Sequence, residues 1–221
     1  GAEDIVRTIV DLCSKRLPVS YGFDPMRHIQ VLTPTKKGVT GVYNLNAELQ
    51  RVLNPQHRKK AEKASANFVF REGDKVMQVK NNYSLRWEKL HRPNVEGMGV
   101  FNGDTGIIQV IDDAEQKIIV LFEDDKIVEY DYSILDELEP SYAITIHKSQ
   151  GSEFPVVIMP VFPGPSVLMT RNLLYTAITR AKDFVILVGV ENTLNEMVNN
   201  DRETLRYSCL DEKLRKCFTG I

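Results

Sequence analysis

Residues 142–161 read YAITIHKSQGSEFPVVIMPV, and the order of residue types within them decides the fold. Tyr142–Ile146 and Val156–Val161 are nearly continuous apolar runs. Such runs mark strands buried on both faces, which occur in parallel sheets covered by helices. Between them lies the densest polar cluster of the chain, from Thr145 through His147, Lys148, Ser149, Gln150, Gly151 and Ser152 to Glu153. In open α/β sheets ligands bind outside the carboxyl ends of the strands, so a polar cluster leaving a buried strand has the position of a binding site. A His and a Lys there can reach phosphates, and a Gly lets a backbone N–H approach one closely. A strand-to-helix turn with His147 and Lys148 simply solvated fits the same spacing.

Working outward, His28–Leu32 (HIQVL) and Phe184–Val188 (FVILV) are two more short buried runs. Helical spacing predicts helices over 2–16, with Ile5, Val6, Ile9, Val10, Leu12 and Cys13 on one face, and over Val42–Leu53. Two more are expected over Asn172–Lys182 and Glu203–Phe218. From about Phe68 the character changes. KVMQVK (75–80), GIIQVI (106–111), KIIVLF (117–122) and KIVEY (126–130) are short strand-forming runs separated by turn signals such as Glu72-Gly73-Asp74 and Asn102-Gly103-Asp104. That pattern predicts a small antiparallel barrel or meander. Residues 81–98 lack periodicity and read as a long loop, and Leu135-Asp136-Glu137 as a linker turn. The expected organisation is a parallel α/β lobe, residues 1–67 and 139–221, interrupted by an all-β insert, residues 68–138.

Composition narrows the function. With 43% hydrophobic and 26% charged residues the 221-residue chain is an ordinary globular protein, which excludes disorder throughout. No apolar run approaches the roughly 18 residues of a membrane span and no signal segment opens the chain. No membrane partner is therefore expected, three cysteines in a chain too large to need disulfide staples fit a reducing cytoplasm, and the first residue, Gly1, suggests a fragment of a longer protein. The formal net charge of -2 argues against nucleic acid, but it hides an asymmetry. Residues 111–139 hold eleven acids and two bases, whereas residues 51–92 hold eleven bases and four acids. A basic stretch of this kind can meet phosphates, and it can equally be a solvated face. Cys13, Cys209 and Cys217 sit at no zinc-ligand spacing, and no acids cluster as a metal or nuclease site.

The second polar cluster is LLYTAITRAK (173–182), where Arg180 is either a surface charge or a phosphate ligand. Together, TIHKSQGSEFP (145–155) and LLYTAITRAK resemble motifs V and VI of the RecD-like helicases, the family of the exodeoxyribonuclease V alpha subunit. LTPTKKGVTGVYNLNAELQ (32–50) resembles their motif IV, and GDKVMQVKNNY (73–83) with FNGDTG (101–106) the start of their inserted barrel. The resemblance runs from about residue 28 to 190.

It implies a RecA-like motor lobe of the P-loop NTPase type carrying an inserted SH3-like β-barrel, in an ATP-dependent helicase moving 5′ to 3′ on DNA. By resemblance Arg180 is the arginine finger, Gly151, Glu153 and Lys37 (or Lys36) complete the ATP site, and Thr145, His147 and Lys148 hold single-stranded DNA. Asn82 and Tyr83 (beside Asn81) are expected to guide the strand from the barrel, with a core or turn role for Tyr83 as the alternative. No G-x-x-x-x-G-K-[ST] phosphate loop occurs in the 221 residues, so the loop and most Mg²⁺ contacts belong to a missing amino-terminal motor lobe. Other subunits of a recombination and repair complex are further expected partners. A relaxase-type helicase relative and a non-catalytic single-strand-binding module are the alternative readings.

Overall fold

The computed structural model describes residues 1–65 and 67–201. In chain order the helices are α1 (Ala2–Asp11), α2 (Leu17–Tyr21), α3 (Val42–Leu53), α4 (Arg171–Ile178) and α5 (Glu191–Asn199). The first strands are β1 (Ile29–Thr33), β2 (Glu62–Ala64), β3 (Val69–Arg71), β4 (Lys75–Gln78), β5 (Asn82–Lys89), β6 (Arg92–Val100) and β7 (Thr105–Asp112). They are followed by β8 (Lys117–Phe122), β9 (Lys126–Asp131), β10 (Leu138–Pro140), β11 (Ala143–Thr145), β12 (Phe154–Val161) and β13 (Ala181–Gly189).

The lobe is a four-stranded sheet ordered β11-β1-β12-β13, with every pair parallel. The apolar stripe at the amino terminus extends beyond residue 16. A π turn over Leu12–Arg16 joins α1 to α2, and Ile5, Ile9, Cys13 and Leu17, each four residues apart, are all buried in the lobe core. Gly22, with φ 71°, ends the run in the left-handed conformation that glycine adopts without strain. α3 occupies the span its spacing indicates, and Leu45 and Leu49 pack into the same core.

The insert is a seven-stranded antiparallel sheet ordered β10-β4-β7-β8-β9-β5-β6, curled around Phe70, Ile108, Ile118, Val120 and Tyr130. It is the SH3-like barrel beside a RecA-like lobe. β8 alternates half-buried and buried residues along its length, as a strand with one face on a core must. Beside a separate two-stranded sheet, β2–β3, Phe68 and Phe70 enter this core, and Ala61, ahead of residue 68, packs against it too.

Three expectations need correction. Residues 81–98 are not a loop but the hairpin β5–β6. Only Leu85 of β5 is fully buried, so its inward signal is weak, and Gly97 and Gly99 interrupt β6. Trp87 pairs with Gly97 across the hairpin, and a Cβ on Gly97 would overlap the indole, so this glycine is required by packing. The helix expected over 172–182 stops at Ile178, because β13 already starts at Ala181 and Arg180 stands in the turn between them. β13 is not buried on both faces. It is an edge strand, and Phe184 and Val185 are 39% and 37% exposed. The helix expected over 203–218, with Cys209 and Cys217, lies outside the described residues.

Candidate functional site

The polar cluster does not stay at one end of the sheet. Thr145 ends β11 level with Thr33 of β1, at the carboxyl edge. Phe154 starts β12 opposite Ala181, at the amino edge. Val31 is level with both Ala143 and Ile158, which places Thr145 level with Pro160, six residues beyond Phe154. At about 3.3 Å per residue the two ends of the cluster are ~20 Å apart along the strands. The chain covers this distance through a short 3₁₀ turn, Ile146–Ser149, capped where the Thr145 hydroxyl accepts the Lys148 N–H at 3.4 Å.

At the amino edge, Arg180 meets the end of the cluster. Its Nε donates to the Thr176 carbonyl (3.3 Å), Nη1 to the Ser152 carbonyl (3.2 Å) and Nη2 to the Thr179 hydroxyl (3.2 Å). The Phe154 N–H donates to the Arg180 carbonyl, tying strand and turn together. Of the five guanidinium donors, two lack an acceptor among the described residues, and no carboxylate pairs with the charge there. A half-buried cation braced only by neutral acceptors is set up to receive an anion. Glu153 is exposed and pairs with Lys182 at 3.5 Å. Gly151, with φ 90°, has open space where a Cβ would stand, so its backbone conformation and not crowding selects glycine.

Lys37 does not join this group. It lies in the loop leaving β1 at the carboxyl edge, as does Lys36, so the four residues expected to bind ATP are split between opposite ends of the sheet. Sequence proximity to a motif could not reveal that separation.

Of the residues expected to hold DNA, His147 is exposed. Lys148 is not a free cation. Its ammonium pairs with Glu139 at 2.6 Å, and the side chain is only 22% exposed. Asn82 is committed to the barrel, donating to Glu137 (2.9 Å) and accepting from the Ser84 N–H and hydroxyl. Tyr83 is 71% exposed and meets Phe101 edge-on at 5.7 Å, which excludes the core role.

A cleft of about 790 Å³ separates the barrel from the polar cluster. Asn102, Asp104 and Lys126 line it from the barrel, and His147, Gly151 and Glu153 from the lobe. The two stretches quoted above, FNGDTG and TIHKSQGSEF, thus face each other. Among the described residues no group of His, Cys, Asp and Glu could hold a metal ion, and no helix is long and apolar enough to cross a membrane.

Sequence reasoning missed the joint that holds lobe and barrel. Asp74, read only as a turn residue, is fully buried. Its carboxylate accepts from Asn54 and Gln50 (2.6 Å each), the Arg71 N–H (2.7 Å) and the Tyr142 hydroxyl (2.8 Å). Burial raises its pKa, and these hydrogen bonds pull it partly back. Next to it Lys75 of the barrel is buried with its ammonium on the Ile29 carbonyl of β1 (3.2 Å), and burial lowers its pKa to about 8.

Residues 45–122 match the model of the ATP-dependent RecD-like DNA helicase SH3 domain, and residues 140–188 that of the UvrD-like helicase C-terminal domain. The chain resembles the RecD-like DNA helicases. The ATP-dependent RecD2 DNA helicase of Deinococcus radiodurans is 33% identical over 187 residues, covering 85% of this chain and 23% of that protein. An uncharacterized protein of Methanocaldococcus jannaschii is 36% identical over 191 residues, 80% of this chain and 16% of its own length. The RecBCD enzyme subunit RecD of Mycolicibacterium smegmatis is 28% identical over 84% of this chain and 29% of its own. The chain therefore spans less than a third of the length of each of these relatives. The fold is shared with a Bacteroides Pif1 helicase solved with ADP-AlF3 and single-stranded DNA, at a TM-score of 0.53 and 19% identity over 98% of this chain and 50% of that one.

Proposed function

We propose that this chain is the second motor lobe of an ATP-dependent, cytoplasmic 5′ to 3′ DNA helicase, with the barrel, residues 68–138, as its insert. The observation that carries the reading is the braced, carboxylate-free guanidinium of Arg180 at the amino edge of the sheet. An arginine so held needs no reorganisation to meet charge developing on a transferring phosphoryl group, and such fingers are worth about 10³–10⁵ in rate. Glu153 and Gly151 complete this side of the nucleotide site. Phosphate loop and Mg²⁺ ligands come from a first lobe outside these 221 residues. Two donors on Arg180 fit a phosphate oxygen, and ATP with Mg²⁺ supplies the phosphoryl group for hydrolysis.

His147 and Thr145 contact single-stranded DNA, and Tyr83 offers a ring to a base. Lys148, held by Glu139, contributes when that pair opens. Lys37, on the edge away from Arg180, belongs with the strand contacts and not with ATP. Association with other subunits of a repair complex is part of the same proposal. A non-catalytic single-strand-binding module would leave the bracing of Arg180 without a purpose. Purified alone, the chain is expected to bind single-stranded DNA without turning over ATP. Turnover by the isolated chain that survives Arg180→Ala would contradict the lobe assignment.

A further inference from the structure

We infer that the face of α3 turned toward the β2–β3 sheet is a slot for an unpaired nucleobase, with Tyr43 and Phe68 as its aromatic walls. The inference rests on the single-strand reading above and adds a contact beyond the residues assigned to the strand there. A hollow of about 380 Å³ lies between Tyr43, Ala47 and Gln50 of α3 and Phe68 and Val69 of the small sheet. Tyr43 and Val69 are 40% and 39% exposed, so apolar surface is left uncovered inside a concave site. Tyr43 and Phe68 line the same hollow, and Phe68 is braced edge-on by the buried Phe70 at 5.3 Å. The walls are also fixed from behind. Gln50 donates to the Val69 carbonyl (2.8 Å) and to Asp74, and Asn46 to the Pro140 and Ala143 carbonyls (3.0 and 2.9 Å). A slot held open in this way loses little conformational freedom on binding.

Charge selects the occupant. Exposed Lys36 and Lys37 precede the amino end of α3, and exposed Arg58 and Lys59 follow its carboxyl end. None of the four forms an ion pair among the described residues. The 12-residue helix, ~18 Å long, stands between the two cation pairs, and the slot lies along it. The acids at its rim are neutralised, Glu62 by Arg71 at 2.6 Å and Glu139 by Lys148 at 2.6 Å. Tyr43 also borders a small neighbouring hollow lined by Lys36, Thr145 and Lys148, so the slot lies beside the strand contacts. An aromatic platform between cations, continuous with a phosphate-binding edge, is the arrangement that holds a single strand irrespective of its sequence. It also gives the basic stretch 51–92 a use beyond solvation.

The test is anisotropy of labelled oligothymidylate and of an abasic strand of equal length on this chain. Wild type is expected to prefer the base-bearing strand about 5- to 150-fold. Tyr43→Leu should cut that preference about 5-fold or more and Tyr43→Phe keep it, while Arg58→Glu weakens both strands and flattens the salt dependence. Equal preference in wild type and Tyr43→Leu overturns the slot. If both strands bind equally and His147→Ala weakens both, only the slot falls. If neither strand binds at low salt, the single-strand reading falls with it.

Discussion

Arg180 shows how much a side chain's role depends on what surrounds it. By sequence it was one arginine at a helix end, with a surface charge as the commoner case. Three neutral acceptors and no carboxylate set it apart from Arg71 or Arg16, each of which faces an acid. The opposite situation holds for Lys75, whose charge gains only a carbonyl and is opposed by burial. Its folded pKa, about 8, lies below the ordinary lysine value of 10.5. Between those values the unfolded state binds more protons, so this lysine makes stability rise with pH from about 8 to 10.5. Cys13 acts in the other direction above 9, because burial raises its thiol to about 12. Urea unfolding of wild type and Lys75→Met at pH 7, 8 and 9 isolates the lysine. The variant should lose the rise between 8 and 9, and an unchanged slope would mean that the ammonium is solvated.

The elements were legible wherever one pattern ran unbroken. β8 alternates, α3 keeps its stripe, and β12 is apolar throughout, and each stands where the spacing indicated. The β5–β6 hairpin was not legible because few of its side chains face a core and Gly97 must be bare for Trp87 to lie across it. The exposure of β13 is a property of its place in the sheet order, which no local window contains. The joint at Asp74 was hidden for the same reason, since its partners come from α3, from Arg71 and from Tyr142, 68 residues away. Asp74→Ala removes the common acceptor and leaves the Gln50, Asn54 and Tyr142 donors buried or half-buried without it. The expected loss is about 3 kcal/mol or more, read by urea denaturation. A loss under about 0.5 kcal/mol, typical of surface sites, would show that the joint does not hold the two units.

Across the whole molecule, the motifs identified both units, but their arrangement came only from the pairing of strands. Eight residues carry the chain from Thr145 back to the amino edge, so adjacent letters in one motif serve opposite ends of the lobe. That separation predicts that the contacts to ATP and to the strand can be removed independently. Here Arg180 and Glu153 stand at one edge and Thr145 at the other, with His147 on the turn between them. The decisive measurement is therefore a paired one, on this lobe joined to a lobe that carries the phosphate loop. ATP turnover at saturating single-stranded DNA and strand affinity across a salt series are read for Arg180→Lys and for His147→Ala. The expected result is turnover reduced by about 10³-fold or more with strand affinity unchanged for Arg180→Lys. For His147→Ala affinity should fall while turnover at saturating DNA persists. If Arg180→Lys weakens the strand and keeps turnover, the guanidinium faces DNA and the motor assignment is contradicted.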